Sequence, residues 1–445
     1  MTDSLPLICV RQGELARAGL SAAHSAWAEA NGFTGQRGRL LALPGESGAL
    51  AGHLFGMGET VSPAQLGQAG AALGEGVWHL VGDYGDPTLA AIGFRLGAYR
   101  FERYTAGKPG PELVPPEAAD AGEVARQVEA AVLARDLINL PPNDLGPDAF
   151  EAEIHAFAAA RGMAISVTVG DDLLDANFPM IHAVGRASSQ APRLVDLRWG
   201  RADAPRVTLV GKGVTFDTGG LDIKSAAGML LMKKDMGGAA NVLGLAHAII
   251  SARLDLRLRV LIPIVENAIA GAAFRPGDVL RSRKGITVEI GNTDAEGRLI
   301  LADALALADE ESPELLVDMA TLTGAARVAL GPDLPPLYST DDALARALMD
   351  AGAGMDDPLW QMPLWSPYES MLKSRVADIN NAATGGFAGS VTAALFLRRF
   401  VSNAAAWVHL DIFGWVPEAR PSRPQGGTDQ GIRALYTVLR QRYPG

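Results

Sequence analysis

Short apolar runs alternate along this chain with alanine-rich stretches of helical spacing, the pattern of interleaved strands and helices. In the first 112 residues, apolar segments at 5–10, 39–43, 76–81 and 90–96 sit between helical stretches, which predicts a small α/β domain. A glycine- and proline-rich piece at 106–116 marks its end. Residues 117–137 then carry Val124, Val128, Val132 and Leu133 on one side and Glu123, Arg126, Gln127 and Glu129 on the other. That is the spacing of a connecting helix, which Pro141 and Pro142 stop. From there to Gly445 strand and helix signals alternate as in βαβ units. The fold class predicted is α/β: a large domain at 138–445 with a mostly parallel, helix-flanked central sheet, a linker and connecting helix at 113–137, and a smaller α/β amino-terminal domain at 1–112.

Two polar clusters break the apolar pattern. In NTDAEGRL (292–299), Asp294, Glu296 and Arg298 share one turn, after a predicted strand at 285–290 and before a predicted helix at 299–308. This puts the charges at the carboxyl end of a strand, where α/β sheets place ligands. Upstream, a strand at 207–210 runs into GKGVTFDTGG, with Lys212 and Asp217, then Lys224, then Lys233, Lys234 and Asp235 ahead of a helix at 239–250. Each residue taken singly has a plain explanation: Lys212 as a solvated surface lysine, Asp217 as a turn residue, Asp235 as a helix N-cap, Lys224 as a partner of Asp222 or Asp235. A cap needs one carboxylate, and four gather at strand ends. Three aspartates and a glutamate with lysines and an arginine suit two divalent cations, because carboxylates bridge metals and the second metal offsets their repulsion. A lysine can ligate a metal only as the neutral amine. GKG at 211–213 fits no phosphate-loop pattern.

Composition narrows the classes. The 445 residues allow two domains and a large core. Lys and Arg number 39 against 50 Asp and Glu, a net charge of −11 that argues against a nucleic-acid or anionic-membrane partner. Cys9 is the only cysteine, so no intramolecular disulfide or thiolate zinc cage is available. The start MTDSLPLICV lacks the features of a signal peptide, and no apolar run reaches the roughly 18 residues of a membrane helix, so a cytoplasmic location is expected. The seven histidines show no HExxH spacing. His409, in the apolar stretch 407–413, reads as a hydrogen-bonded core histidine.

The two clusters resemble the leucyl (cytosol) aminopeptidase family of two-metal exopeptidases. The resemblance rests on VGKGVTFDTGGLDIK (210–224), MKKDMGGAA (232–240), NTDAEGRL (292–299) and ATLTGAA (320–326), with weaker echoes in INLPPN (138–143), GGFAGSVTAALFL (385–397) and WVHLDIFG (407–414). It implies that 138–445 is the catalytic domain and that two divalent metal ions, Mn²⁺ or Zn²⁺, bind each subunit. Lys212, Asp217, Asp235 and Glu296 would hold one ion, and Asp217, Asp294 and Glu296 the other. It further implies Lys224 as the electrophile at the scissile carbonyl, Arg298 holding a bicarbonate general base toward a metal-bridged water, and Met232, Thr321, Leu322 and Gly324 lining the first side-chain pocket. The implied activity is removal of leucine-like residues from peptides with a free amino terminus, by a homohexamer. Thr218 stands where members often carry serine, and the first 110 or so residues show no pattern that aligns with the family. A dipeptidase of narrower specificity and a non-catalytic scaffold of the same fold are the competing readings; the scaffold is disfavoured because all seven metal-site and catalytic positions are occupied by the required residue types.

Overall fold

The computed structural model describes residues 4–107 and 109–445; residues 1–3 and Lys108, which belong to the amino-terminal start and to the 106–116 boundary segment, lie outside them. The chain forms two compact units, Met1–Val132 with Val416–Gly426, and Leu133–Trp415 with Gly427–Gly445.

The first unit is built on β1 (Leu5–Arg11), β2 (Leu40–Pro44), β3 (Leu50–Gly58), β4 (Gly76–Gly82) and β5 (Pro111–Leu113), in the order β2-β3-β1-β4-β5. All pairings are parallel except that of β2 with β3. The apolar run at 90–96 lies within a helix, Pro87–Gly97, started by Pro87 and by the Asp86 carboxylate accepting from the Leu89 amide at 2.8 Å. It reads as an unbroken run because it is buried on two sides. Ala90 and Phe94 pack with Leu7, Phe55 and Trp78, while Ala91, Ile92 and Leu96 pack with Val124 and Val128 of the connecting helix. That helix spans Ala121–Asn139, and Glu123 and Gln127 on its polar side are buried too, paired with each other at 2.5 Å.

The second unit holds β6 (Ala164–Val169), β7 (Arg193–Trp199), β8 (Arg206–Gly211), β9 (Gly213–Asp217), β10 (Arg257–Asn267), β11 (Val279–Arg281), β12 (Thr287–Glu289), β13 (Leu315–Ala320), β14 (Pro336–Ser339), β15 (Trp360–Gln361), β16 (Ile379–Asn380) and β17 (Ala406–Asp411). Its main sheet runs β15-β14-β17-β13-β8-β10-β7-β6, with β9 also on β10. The central strands β17, β13, β8 and β10 are parallel; β7 and β6 continue antiparallel on one side, and β14 pairs antiparallel with β17 on the other. Parallel strands are covered on both faces, which is why β13 and β17 are buried at every position and read as apolar runs. Helix Gly237–Ser251 packs on β8 and β13, and helix Gly297–Glu310 on β8 and β10. Leu299, Ile300 and Leu305 of the latter join Val210, Leu261 and Leu316 in one buried core, each side chain contributing about 1.5–3 kcal/mol by leaving water.

One sequence expectation is corrected here. The strand expected at 285–290 is the short β12, and it belongs to a separate three-stranded sheet, β11-β12-β16, rather than to the main one. Its partner β16 is supplied from about 90 residues downstream through Val288↔Ile379, a pairing that local periodicity cannot reveal.

Candidate functional site

The carboxyl ends of β8, β9, β13 and β17 converge on a cavity of about 620 Å³. At the end of β8, Gly211 lets helix Gly237–Ser251 approach closely: a Cβ there would lie 2.5 Å from the Ala239 Cα. The next residue, Lys212, is fixed through its backbone, its amide donating to Met319 O of β13 and its carbonyl accepting from the Ala239 amide, both at 3.0 Å. Its buried ammonium reaches Asp235 Oδ2 at 2.7 Å, Glu296 Oε1 at 2.9 Å and Thr321 O at 3.0 Å. Gly297 makes room for that lysine, since a Cβ there would collide with its Cε and lie 2.7 Å from its Nζ.

Asp217 ends β9. Its Oδ1 accepts from the Gly219 amide and from Asn267 Nδ2, both at 2.8 Å, so it is a turn residue and a member of the cluster at once. Gly219 and Gly220 turn the chain at φ +87° and +66°, a region that favours glycine. Thr293 staples this turn to the NTDAEGRL loop, its hydroxyl donating to Gly219 O at 2.7 Å and its amide to Asp222 Oδ2 at 2.8 Å. Asn381 fixes the other side of the loop by accepting from the Gly291 amide at 2.8 Å and donating to Asn292 O at 2.7 Å.

Lys224 pairs with Asp217 Oδ2 at 2.8 Å and with Asp294, not with Asp222 or Asp235. Asp235 caps no helix; its Oδ1 accepts from the Thr321 hydroxyl at 2.8 Å. Arg298, buried at the start of helix Gly297–Glu310, donates to Asn381 O at 2.7 Å, and its Nε has no partner. All of these line the cavity, together with Met232, Thr321, Leu322 and Gly324. The last three stand on a loop held by Asp411 at the end of β17, whose Oδ1 accepts from the Leu322 and Thr323 amides, each at 3.0 Å.

His409 is fully buried on β17, its Nδ1 2.6 Å from Asp318 Oδ1 and its ring stacked between Tyr338 and Trp407. It belongs to the core and does not line the cavity.

Four carboxylates crowd together here beside Lys212 and Lys224, and burial and mutual repulsion shift their protonation. Burial, then Asp217, push Glu296 up to about 8 against the pull of Lys212. Burial also raises Asp235 and Asp294, with the neighbouring Asp217 adding to both. For Lys212 burial disfavours the ammonium, yet Asp235, Glu296 and Asp217 outweigh it and hold the pKa above the ordinary lysine value. Oxygens of Asp217, Asp294 and Glu296 lie within 4.8 Å of one another, close enough to meet on one ion, and the buried Glu296 Oε2 has no hydrogen-bond partner. An oxygen-rich cluster with an unsatisfied carboxylate oxygen fits divalent cations.

Sequence reading passed over Asn267, Asn381 and Asp411, whose roles lie in long-range hydrogen bonds. The only available signal was a polar residue at the end of an otherwise apolar strand, which Asn267 and Asp411 both provide.

Comparison with known proteins gives the family. Residues 132–436 match the cytosol aminopeptidase family, catalytic domain, and residues 5–114 match the M17 aminopeptidase, N-terminal domain. The second match supplies for the first 110 or so residues the family alignment that the sequence motifs did not give; short strands and small residues leave little local signal there. A probable cytosol aminopeptidase of Roseiflexus castenholzii is 44% identical over 380 residues, covering 80% of this chain and 77% of the relative. One from Caulobacter vibrioides is 37% identical over 445 residues, covering 93% and 90%. The crystal structure of a cytosol aminopeptidase from Coxiella burnetii superimposes with a TM-score of 0.95 at 45% identity, covering 100% of this chain and 98% of that one. The bottromycin maturation enzyme BotP in complex with Mn gives a TM-score of 0.90 at 34% identity, covering 99% and 100%.

Proposed function

The chain belongs to the cytosol aminopeptidase family, a family of peptidase hydrolases, and on that premise we propose that its cavity removes leucine-like residues from the amino termini of peptides with two divalent ions bound. The observation that carries the proposal is the meeting of Asp217, Asp294 and Glu296 around the unsatisfied Glu296 Oε2. Lys212, Asp217, Asp235 and Glu296 would hold one ion, and Asp217, Asp294 and Glu296 the other, Mn²⁺ or Zn²⁺ in each place. Lys212, whose ammonium the carboxylates stabilise in the absence of metal, would give up its proton to the solvent as the ion takes over its charge-balancing role. Ions held there would activate water, polarise the scissile carbonyl and take the substrate's free α-amine, which restricts cleavage to the chain end.

The chain's own groups do the rest. Lys224 donates to the carbonyl oxygen as it gains negative charge, its ammonium kept protonated because Asp217 outweighs the cost of burial. Arg298, with its unpaired Nε, holds a bicarbonate ion that takes the proton. Met232 and Leu322, with Thr321 and Gly324, form an apolar recess for a leucine-like side chain. The domain organisation read from the sequence, action in the cytoplasm and a homohexameric state belong to the same proposal and are supported by the family resemblance. Among the described residues no helix is long and apolar enough to cross a membrane.

The test is hydrolysis of leucine 4-nitroanilide by purified protein after chelation and again after adding Mn²⁺ or Zn²⁺, with N-acetylleucine 4-nitroanilide as control. Activity that requires both the metal and the free amine is expected. Absence of hydrolysis with either metal, on this substrate and on short peptides, overturns the proposal. Sedimentation velocity reads the oligomeric state.

A further inference from the structure

Four lysines stand at or beside the cavity, and three are accounted for. Lys212 and Lys224 pair with the carboxylates of the cluster, and Lys233 donates to Asn139 O at 2.7 Å. Lys234 is different. It is 5% exposed and lines the cavity, yet its ammonium makes no hydrogen bond and no ion pair. Its one close partner is the ring of Phe413, 5.0 Å from the Nζ. Arg327 lines the same wall, likewise without a carboxylate at ion-pair distance, and its guanidinium lies 4.9 Å from the centroid of the same ring.

Among the described residues no carboxylate lies at ion-pair distance from either, and the two whose charge reaches Lys234 are already engaged. Asp235 is engaged by Thr321 and Lys212, and both oxygens of Asp411 are taken, Oδ1 by two backbone amides and Oδ2 by the hydroxyls of Thr323 at 2.6 Å and Ser390 at 3.1 Å. A cation–π contact offsets only part of the cost of taking an ammonium out of water, and here a second cation on the same ring adds repulsion. Lys234 is buried with no ion-pair partner, only the longer-range fields of Asp235 and Asp411 favouring its charge, and the exposed Arg327 lies beside the same ring, so this wall of the cavity presents two cationic groups to an anion from outside. The anion that a peptide brings is a carboxylate.

Resting on the aminopeptidase reading of this cavity, we infer that Lys234 and Arg327, flanking Phe413, form a subsite for a carboxylate of the substrate. The carboxylate has two sources, an acidic side chain on the amino-terminal residue or the carboxyl terminus of a short peptide. Either gives the enzyme a preference, among the substrates its metals can process, for those that place a negative charge against this wall.

Equilibrium binding tests this without turnover. Calorimetry on the full-length, metal-loaded protein compares L-glutamate with L-glutamine for the side-chain source. It compares a reduced-bond leucylleucine, with CH₂–NH in place of the amide, with its carboxyl-terminal amide for the terminal source. In at least one pair the carboxylate member binds roughly 10- to 100-fold tighter, the worth of a charge-assisted contact. That ratio falls toward one in both Lys234→Met and Arg327→Gln, and using ratios within each variant cancels any loss of folded or metal-loaded protein. The exposed Arg327 provides the second variant should Lys234→Met fail to fold. Equal affinities within both pairs, or a preference that survives in both variants, overturn the inference. Hydrolysis of leucine 4-nitroanilide is read separately, so failure of the aminopeptidase reading is distinguished from failure of the subsite.

Discussion

Gly297→Ala separates the stability of the fold from the integrity of the site. The glycine opens helix Gly297–Glu310, and its ordinary φ permits alanine, so helix propensity alone favours the change by about 0.5–1 kcal/mol. The obstacle is Lys212, because the new methyl would collide with its Cε and lie 2.7 and 2.8 Å from its Nζ and Cδ. Overpacking of this kind costs about 1–3 kcal/mol. The net loss of stability is therefore about 0–2.5 kcal/mol, a few degrees of Tm at most in a chain this long. The colliding atoms are the far end of the lysine side chain, so its yielding displaces the ammonium from its seat between Asp235 and Glu296. Disturbing even the outer supports of a metal site costs about 10- to 100-fold in affinity, and displacing an expected ligand costs at least as much. Calorimetric titration of the chelated protein with Mn²⁺ or Zn²⁺, paired with a thermal melt, measures both quantities. Gly324→Ala is the control, since no heavy atom lies within 4 Å of its Cβ position; it leaves metal affinity intact and alters KM for the leucine substrate. Wild-type metal affinity in Gly297→Ala would refute the assignment of Lys212 to the metal site.

Three further outcomes are expected. Glu296→Gln removes the charge of the carboxylate shared by both ion positions, so metal content by mass spectrometry falls for both ions together; unchanged content counts against the assignment. Lys224→Ala lowers kcat roughly 10²- to 10³-fold with the metals retained, as for loss of an oxyanion donor. Poorer folding with full turnover per folded molecule would instead make Lys224 a structural ion-pair partner. In the core, burial works against the His409 imidazolium but Asp318 outweighs it, so the pKa lies above the ordinary histidine value of 6.5. A raised histidine pKa stabilises fully below 6.5 and loses that contribution as pH rises through the folded value. Asp318→Asn breaks this buried pair at a cost of about 3–5 kcal/mol at pH 6, and the cost shrinks toward pH 10. Equal shifts in thermal melts at the two pH values would exclude the charged pair.

What the sequence reveals of this protein follows from the range over which each feature is written. The central strands are legible because burial on both faces leaves each as a continuous apolar run, and Asp294, Glu296 and Arg298 are legible because one turn carries all three. The segment at 90–96 is ambiguous for the same reason, since a short helix buried on two sides leaves the same trace as a buried strand. Asn381 is invisible because its value lies in hydrogen bonds to a loop about 90 residues away. Lys234 was hidden by its neighbours. In MKKDM two lysines look alike and each lies over a ring, and only the structure shows that Lys233 also has a carbonyl partner while Lys234 has none.

The placement of the cluster explains how one chain tolerates four carboxylates gathered in its interior. Three connections deliver them, Asp217 at the end of β9, Asp235 in the turn before helix Gly237–Ser251, and Asp294 and Glu296 together in the loop before helix Gly297–Glu310. Each connection is also held by contacts away from the charges: the turn after Asp217 by Thr218 donating to Asn267 O, the segment after Asp235 by the Ala239 amide donating to Lys212 O, and the NTDAEGRL loop by Thr293 and Asn381. The repulsion therefore cannot relax by moving the backbone, because the strands on either side are fixed in the core. What remains is neutralisation. Lys212 and Lys224 pair with the four carboxylates and Arg298 adds its charge near Glu296 and Asp294, yet burial still holds Glu296 above the ordinary carboxylate range and its Oε2 has no hydrogen-bond partner. A cluster fixed in this way, with a buried carboxylate oxygen left unsatisfied, suits positive charge that arrives from outside the chain.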